Sequence, residues 1–304
     1  MPTENERTPA TDGQGWEQAF AAEHDVDLRQ RTRVRVGGVA KDFVRPRSAQ
    51  ELAQLLRALQ QAGRGWRVLG GGSNLLISDA PQTDVIIHPD RLDACVQDGS
   101  ELVLGAGHVL QRAVNHSTDL GLAGAQVLTG IPGQIGGALA MNAGGRYGAM
   151  ADVVAWAEVA LPDGELHRIE ALDLAFGYRF SRLPQGAVVT QVCWKLQPND
   201  DARSLKREAG RILKEKNEAQ PTQAWNFGCM FKNPPGQSAG KLIESVGLKG
   251  AQQGDARISP KHGNFIENLG AARAADILTL LERAEDLVRR QCGIGLEREV
   301  RVWT

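Results

Sequence analysis

The chain has 304 residues, of which 42% are hydrophobic and 23% are charged, as in an ordinary globular protein of two or three domains. Its formal net charge of −1 gives no electrostatic reason to expect nucleic acid or a membrane surface as a partner. The four cysteines lie far apart without a CxxC pair, which favours a reducing cytoplasm and argues against a bound metal.

The first sixteen residues, MPTENERTPATDGQGW, contain no apolar run, so neither a signal peptide nor a membrane anchor is predicted there. Their polar composition predicts a disordered tail over residues 1–16. No later stretch reaches the ~18 apolar residues of a membrane-spanning helix. The chain is therefore predicted to be cytoplasmic.

The first structured region is predicted to be an α/β unit. Residues 31–45 alternate charge with valine around a Gly-Gly pair, which predicts strand, turn and strand. Ser48 with Glu51 forms a capping box for a helix that ends at Gly63. A short strand then runs into the glycine loop GGGSN (70–74), at the end of a strand where α/β units bind ligands.

Two further strands and a helix over about 108–120 lead to a second glycine-rich stretch, TGIPGQIGGALAMNAGG (129–145). Glycine adopts positive φ freely and lets the backbone approach a ligand, and successive N–H groups in such turns bind anions. Two such loops predict a cradle for the two sides of a dinucleotide pyrophosphate. The alternative is a glycine-rich corner that only packs tightly. Neither loop contains GxGxxG or GxxxxGK[ST], which excludes the Rossmann and P-loop sites.

The remaining chain predicts a second α/β region and a third domain. Residues 153–169 predict a hairpin around a PDG turn, and residues 188–196 predict a half-buried strand. A linker at 200–202 precedes a helix whose lysines and arginines are interpreted as solvated surface. The elements predicted after it are a loop, a helix (241–246), a strand (263–266), a helix (274–290) and a final strand (296–303).

Eight segments in order are TRVRVGGVA (32–40), LGGGSNLLISD (69–79), GIPGQIGGALAMNAGG (130–145), GYRFSRL (177–183), GCMFKNP (228–234), AGKLIESVGLKG (239–250), ISPKHGNFIEN (258–268) and LEREVR (296–301). Together the chain from about residue 30 to its end resembles the UDP-N-acetylenolpyruvoylglucosamine reductase family. Because no long insertion follows residue 196, the chain resembles the shorter class of that family.

The resemblance implies an α/β and α+β architecture, with a two-lobe FAD-binding fold of the vanillyl-alcohol-oxidase type before an α+β substrate-binding domain. The predicted boundaries are 17–90 for the first FAD-binding lobe, 91–200 for the second and 201–294 for the substrate-binding domain. The strand at 295–304 is predicted to return to the first lobe.

The resemblance also implies the reaction. NADPH reduces FAD, and hydride then passes from flavin N5 to the methylene carbon of UDP-N-acetylglucosamine enolpyruvate. Protonation of the resulting enolate gives UDP-N-acetylmuramate for peptidoglycan synthesis. The implied partners are small molecules only, with no nucleic acid or membrane, and a monomer is expected.

The resemblance implies three groups of site residues, at the positions that match the motifs of the family. The catalytic residues are Arg179, Glu299 and Cys229. The residues implied to bind FAD are Gly70, Gly71, Gly72, Ser73, Asn74, Thr129, Ile131, Pro132, Gly133, Gly136, Gly137 and Asn142. The residues implied to bind substrate are Tyr147, Lys232, Asn233, His262 and Arg301. For Tyr147 and His262 the alternative is a packed or surface side chain without a role in binding.

The chemistry explains why these residue types suit the reaction. Hydride addition leaves negative charge next to a carboxylate, which a guanidinium such as Arg179 binds through two parallel hydrogen bonds. Glu299 is preferred to Glu297 through the resemblance alone, since either could occupy the charged side of an edge strand. To assist an enolate, Glu299 would need to be partly protonated, which burial favours.

Cys229 departs from the family pattern, in which a serine usually stands as the proton donor. A thiol with a pKa of ~8.5 stays mostly protonated at pH 7 and can donate a proton. A lowered pKa would remove that proton. The sequence therefore predicts that Cys229 is the donor and that its pKa is unshifted or raised. A small apolar side chain that only fills space is the alternative.

Two other functions remain open at this point. An oxidase of a sugar or alcohol on the same FAD scaffold would share the glycine loops but would not need GCMFKNP with LEREVR. A non-enzymatic nucleotide-sugar-binding protein would lack the yellow colour of a flavin. The choice between NADPH and NADH also remains open, because the chain contains no separate dinucleotide motif.

Overall fold

Four clusters of buried apolar side chains organise residues 15–304, the part of the chain that the computed structural model describes. Most of the tail predicted at 1–16 lies outside the described residues. Its last residue, Trp16, begins a helix and is 5% exposed in the core of the first lobe. The disorder predicted for Trp16 itself is therefore wrong.

The first lobe (15–90) is an α/β layer. Its elements are α1 (Trp16–Ala19), β1 (Glu23–Asp27), β2 (Val39–Val44), α2 (Ala49–Gln61), β3 (Trp66–Val68), β4 (Leu75–Ile77) and β5 (Val85–Ile87). The sheet order is β1-β2-β5-β3, and β2, β5 and β3 are parallel. The predicted cap of α2 is confirmed, because Ser48 Oγ accepts a hydrogen bond from Glu51 N at 3.0 Å.

The strand predicted before the Gly-Gly turn is wrong. A 3₁₀ helix (Leu28–Arg31) is followed by a local turn, in which Thr32 Oγ1 accepts from Val36 N and donates to Val36 O. Arg35 within this turn has a φ of 59°. These side chain–backbone bonds replace a strand ladder. The partner of β2 is β1, which the sequence analysis missed.

The second lobe (91–200) contains a five-stranded antiparallel sheet. Its elements are β6 (Cys95–Asp98), β7 (Glu101–Gly105), α3 (Leu110–Asp119), β8 (Leu122–Ala123), α4 (Ile135–Ala140), β9 (Gly144–Gly145), β10 (Gly148–Ala149), β11 (Val154–Ala160), β12 (Leu166–Glu170), β13 (Val188–Lys195) and β14 (Gln197–Pro198). Two more 3₁₀ helices cover Ala125–Leu128 and Met150–Asp152. The sheet order is β12-β11-β13-β7-β6.

The predicted hairpin is confirmed as β11 and β12. The prediction that residues 188–196 form a half-buried strand is only partly right. Val189 and Cys193 are buried as well as Val192, because β13 is the central strand. Helix α2 of the first lobe packs at this sheet, and its leucines share a core with Val188 and Ala160.

The long helix after the linker is α5 (Ala202–Ala219). The predicted boundary at 201 assigns α5 to the third domain. Its side chains nevertheless contact the second lobe, where Gln126 Nε2 donates to Glu208 at 3.2 Å and Lys206 pairs with Asp119 at 2.6 Å.

The C-terminal lobe (220–300) has its own core. The elements from here to the end of the chain are α6 (Ala239–Ser245), β15 (Gln252–Gln253), β16 (Ala256–Ile258), β17 (Ile266–Asn268), α7 (Ala274–Cys292) and β18 (Arg301–Trp303). Both predicted helices are present, but the predicted strand lies three residues later, in β17. The antiparallel partner of β17 is β16, which the sequence analysis missed.

The end of the chain returns to the first lobe. β18 pairs in parallel with β4, although the predicted strand at 296–303 is regular only over its last three residues. The preceding residues contact the C-terminal lobe, since Val300 lies in its core and Glu299 N donates to Met230 O at 2.8 Å. Within residues 15–304, no helix is long and apolar enough to cross a membrane.

Candidate active site

The two glycine loops meet in space. A Cβ added to Gly71 would lie only 2.9 Å from Gly133 Cα, and one added to Gly133 would lie 2.7 Å from Ser73 Oγ. Ser73 Oγ donates to Pro132 O at 3.1 Å and links the loops directly. Glycine is required at both positions, because a Cβ at Gly71 would meet backbone and Gly133 has a φ of 118°. The structure thus joins two stretches about sixty residues apart in the sequence.

The glycines of the loops have different roles. Gly72 has a φ of 57°, and an added Cβ would lie 2.3 Å from Arg31 O, so the local backbone requires glycine there. Gly136 packs on Ala106 at the end of β7, which is the close packing of the alternative interpretation. Gly137 faces open space, with nothing within 4 Å of an added Cβ. Ile131 packs on the core of the second lobe.

Two buried polar atoms in the second loop lack a hydrogen-bond partner among the described residues. They are Thr129 Oγ1 and Gln134 Oε1, and the latter lies 3.4 Å from a Cβ added to Gly70. Buried polar atoms are nearly always satisfied, so an unpaired pair at the junction of the loops fits a polar ligand. FAD, the cofactor that the resemblance implies, carries hydroxyl groups that can pair with such atoms. The sequence analysis identified Thr129 but missed Gln134, whose signal was only its place between Gly133 and Gly136.

Asn74, at the end of the first loop, connects that loop to the C-terminal segment. Its Nδ2 donates to Glu299 O at 3.1 Å, and Arg301 N donates to Asn74 O at the same distance. The Cys229 segment lies close by, because a Cβ added to Gly228 would lie 3.8 Å from Ser73 O. The glycine loops are therefore adjacent to the predicted catalytic residues.

The structure brings Arg179, Glu299 and Cys229 together from three distant parts of the chain. Arg179 Nε donates to Glu299 Oε1 at 2.6 Å, and both side chains are largely buried, at 18% and 12% exposure. Cys229 is partly exposed, and its backbone forms an isolated antiparallel β-bridge with Phe265. The backbone carbonyl of the next residue, Met230, accepts a hydrogen bond from Glu299 N.

Burial sets the protonation of two of these groups. Although part of Cys229 is exposed, the protein packed around it removes most solvent from the sulfur, and this desolvation, followed by the negative charge of Glu299, raises the pKa of the Cys229 thiol to about 12. Burial also raises the pKa of Glu299, while Arg179 and then Lys232 act in the opposite direction. This direction agrees with the unshifted or raised pKa predicted for Cys229, so the thiol keeps its proton at neutral pH.

The two candidate glutamates, Glu297 and Glu299, differ clearly in their exposure to solvent. Glu297 is 72% exposed and pairs with Lys232 Nζ at 2.6 Å, whereas Glu299 points into the site. Lys232 also donates from its backbone N to Glu297 O. Arg301 follows Glu299 by two residues, and its side chain is exposed. Burial therefore supports the choice of Glu299 that the resemblance made.

Two other predicted substrate residues, Tyr147 and His262, are held by contacts within the protein. Tyr147 lies against α5, where its hydroxyl contacts Glu215 and its ring lies beneath the guanidinium groups of Arg146 and Arg211. His262 Nδ1 accepts from Asn264 N at 3.2 Å, its ring packs edge-on against Phe265, and burial lowers its pKa.

Asn233 lies at the start of an open groove. Its backbone N donates to the hydroxyl of Tyr178 at 3.3 Å, and its Oδ1 accepts from Ala239 N at the start of α6. The groove has a volume of about 830 Å³ and begins next to Arg179, at Tyr178. Pro234, Pro235 and Lys241 line it, which gives apolar surface with one cation.

The interpretation of the charged face of α5 as solvated surface is wrong for Lys216. It is partly buried, and its Nζ donates to Thr129 O in the second glycine loop at 2.5 Å. Burial, followed by the charges of Arg146 and Arg179, lowers its pKa to about 8. Sequence periodicity could not find this, because the covering loop comes from 87 residues away.

Asn142 has its amide engaged within the protein. Its Nδ2 donates to Gly177 O at 2.9 Å, and its Oδ1 accepts from Ala151 N at 3.0 Å. Across residues 15–304, no group of three or more His, Cys, Asp or Glu side chains is placed to hold a metal ion.

Comparison with known families agrees with this geometry. The family model for an FAD binding domain matches residues 40–170. The model for the UDP-N-acetylenolpyruvoylglucosamine reductase, C-terminal domain, matches residues 220–303. The two matches cover the glycine loops and the Cys229 and Glu299 segments.

Similar proteins extend over nearly the whole chain. A UDP-N-acetylenolpyruvoylglucosamine reductase from an Anaeromyxobacter species is 44% identical over 283 residues, which are 91% of this chain and 87% of that protein. One from Moorella thermoacetica is 37% identical and covers 91% of each chain. The crystal structure of the reductase from Thermus caldophilus superposes with a TM-score of 0.82 at 40% identity, covering 93% of this chain and 99% of that one.

The predicted fold is therefore confirmed, and FAD is the cofactor that the paired glycine loops and their unpartnered polar atoms fit. The chain belongs to the UDP-N-acetylenolpyruvoylglucosamine reductase family of FAD-dependent oxidoreductases.

Proposed function

We propose that the chain catalyses the NADPH-dependent reduction of UDP-N-acetylglucosamine enolpyruvate to UDP-N-acetylmuramate, a step of peptidoglycan precursor synthesis. The observation that carries the proposal is the convergence of Cys229, Arg179 and Glu299 beside the paired glycine loops. An oxidase would need the glycine loops but would have no use for a protonated thiol beside an arginine–carboxyl pair.

FAD, when bound, supplies hydride transfer from NADPH to the methylene carbon of the substrate. The loop residues 70–74 and 129–137 are proposed to form its site. Thr129 Oγ1 and Gln134 Oε1 are buried acceptors that would bind its hydroxyl groups, and Gly137 leaves open space beside them.

Arg179 is proposed to bind the carboxylate of the enolpyruvyl group. Its guanidinium is largely buried, so its interaction with developing negative charge is weakly screened. A positive charge beside the carboxylate stabilises the enolate that forms after hydride addition. Glu299 holds Arg179 in place through a hydrogen bond of 2.6 Å from Arg179 Nε to Glu299 Oε1.

Cys229 is proposed to donate the proton that completes the reaction. Its S–H bond breaks as a new C–H bond forms at the carbon that bears the carboxylate, and solvent later returns the proton to sulfur. The carboxylate of Glu299 favours the protonated thiol before the transfer, which is the state that a donor requires.

The groove beside Tyr178 is proposed to hold the nucleotide end of the substrate. Its volume of about 830 Å³ and its apolar walls suit a base and a sugar, and Lys241 supplies a charge for phosphate. Lys232, Asn233 and Arg301 are proposed to contact the substrate between this groove and the catalytic residues. Tyr147 and His262 are proposed as further contacts, with Nε2 as the atom of His262 that has no hydrogen bond to the described residues.

The test separates the two halves of the reaction under anaerobic conditions. NADPH should bleach the flavin absorbance, and the enolpyruvyl substrate should restore it while O₂ is absent. In the Cys229→Ala variant, bleaching by NADPH should keep its rate, whereas recovery should slow by about 10²- to 10⁴-fold, as expected for loss of a general acid. Cys229→Ser should recover much of the rate.

Cys292→Ala is the matched control, because that cysteine lies in the C-terminal lobe, where its sulfur contacts only Ser245 Oγ among the polar atoms of residues 15–304. Equal recovery rates in Cys229→Ala and Cys292→Ala would refute the donor role. Rapid recovery with O₂ alone in the wild type would favour the oxidase.

A further inference from the structure

The turn that presents Arg179 has an unusual backbone. Gly177 and Phe180 close it with two hydrogen bonds, Gly177 N to Phe180 O at 2.9 Å and Phe180 N to Gly177 O at 3.2 Å. Arg179 lies at its third position with a φ of 58°, in the left-handed region that side chains other than glycine, asparagine and aspartate rarely adopt. A strained residue at a reactive position persists only when neighbouring contacts fix it.

Asn142 supplies such a contact. It is 8% exposed, and its Nδ2 donates to Gly177 O, the carbonyl that also accepts from Phe180 N. Its other end accepts from Ala151 N, so the amide spans from the second glycine-rich stretch to the turn. Asn142 itself has a φ of 40°. Asparagine tolerates this left-handed backbone conformation better than most other residues.

We propose that Asn142 is a positioning residue for Arg179, fixing the Gly177–Phe180 turn so that the guanidinium meets the substrate carboxylate. The inference rests on the proposed function of Arg179. It differs from the role that the resemblance gave Asn142, which was direct contact with FAD. A direct ligand and a positioning residue have different consequences for cofactor binding, and this difference makes the two roles distinguishable.

The main variant is Asn142→Gly, which removes the amide without straining a positive φ. Asn142→Asp is the second variant, because it keeps an acceptor for Ala151 N but, when ionised, cannot donate to Gly177 O. The control is Ser181→Ala, which removes the other side-chain bond between these segments, from Ser181 Oγ to Ala140 O at 3.2 Å.

The holoenzyme variants should retain FAD and be reduced by NADPH at the wild-type rate. Reoxidation by the enolpyruvyl substrate should slow by about 10- to 100-fold, since a catalytic group misplaced by about 1 Å loses up to that factor. The Ser181→Ala control should reoxidise within about twofold of the wild type, because the Asn142 bond to the turn remains. Loss of FAD from both Asn142 variants, or equal slowing of both half-reactions, would overturn the proposal.

A double-mutant cycle tests whether Asn142 acts through Arg179. In an Arg179→Ala background, Asn142→Gly should slow reoxidation no further, because the side chain that it positions is gone. A full additional loss would show that Asn142 acts independently. If Arg179→Ala alone reoxidises like the wild type, the proposed function of Arg179 fails, which is a different outcome from a failure of the positioning role.

Discussion

The contact between the glycine loops gives a direct prediction for Gly71→Ala. The added Cβ would lie 2.9 Å from Gly133 Cα, 3.4 Å from Gly133 C and 3.5 Å from Gln134 N. All three are backbone atoms, so no flexible side chain can move aside. Carbon atoms prefer separations of ~3.5–4.0 Å, so the loops must part by about 0.5–1 Å.

Overpacking of this kind costs about 1–3 kcal/mol. If separation of the loops relieves the clash, the cost falls on FAD binding, and at 1.4 kcal/mol for each factor of ten the dissociation constant rises about 5- to 150-fold. If the loops stay in place, the same cost lowers the free energy of unfolding. Titration of the apoprotein with FAD and thermal unfolding with and without FAD measure both quantities.

The matched control is Gly210→Ala, which adds the same methyl group within α5 where nothing lies within 4 Å. This control should bind FAD like the wild type. If Gly71→Ala matches Gly210→Ala in both FAD affinity and unfolding, the loops do not touch as described and the cradle is wrong.

Three further predictions concern charge. The pKa of Cys229 is raised above the ordinary value of a thiol to about 12, so the unfolded thiol ionises first. The free energy of unfolding should therefore fall as pH rises from about 9 towards 12, and this slope should be weaker in Cys229→Ala. The pKa of Lys216 is lowered to about 8, so its cation is lost as pH rises through that value. Lys216 lies close enough to Arg179, the proposed ligand of the substrate carboxylate, for their charges to interact. The KM for the anionic UDP-sugar should therefore rise in the wild type as this cation is lost but stay level in Lys216→Arg, and an equal rise in both would exclude a contribution of the Lys216 charge to substrate binding. Glu299→Gln should slow reoxidation by substrate, whereas Glu297→Gln, which alters an exposed carboxyl, should leave the rate within about twofold of the wild type.

Local sequence signals predicted the elements whose stabilising contacts are local. Ser48 caps α2 through a residue three positions away, and the hairpin of β11 and β12 is determined by its own turn. The same reasoning failed at residues 32–36, where alternating charge and valine suggested a strand. Thr32 instead bonds to the backbone of Val36, and this turn satisfies the polar groups that a strand would have paired.

Features that depend on contacts between distant parts of the chain could not be predicted from the hydrophobic periodicity of the sequence. β1 is polar and largely exposed and β16 has only three residues, so only their partners β2 and β17 identify them as strands. The sequence assigned Lys216 to a solvated face because α5 is amphipathic, whereas the second glycine loop covers that lysine. Glu297 and Glu299 have the same chemistry two residues apart, and only the fold buries one of them.

The last segment of the chain explains how these distant parts form one site. Glu299 N donates to Met230 O, next to Cys229, while Glu299 O accepts from Asn74 at the end of the first glycine loop. Two residues later, Arg301 N donates back to Asn74 O, and β18 begins its parallel pairing with β4. The backbone of Glu299 is thus held between the proton donor and the cofactor loop, while its side chain holds Arg179. Because each lobe contributes one hydrogen bond to this residue, Glu299 links the three lobes at the point where Arg179 and Cys229 meet.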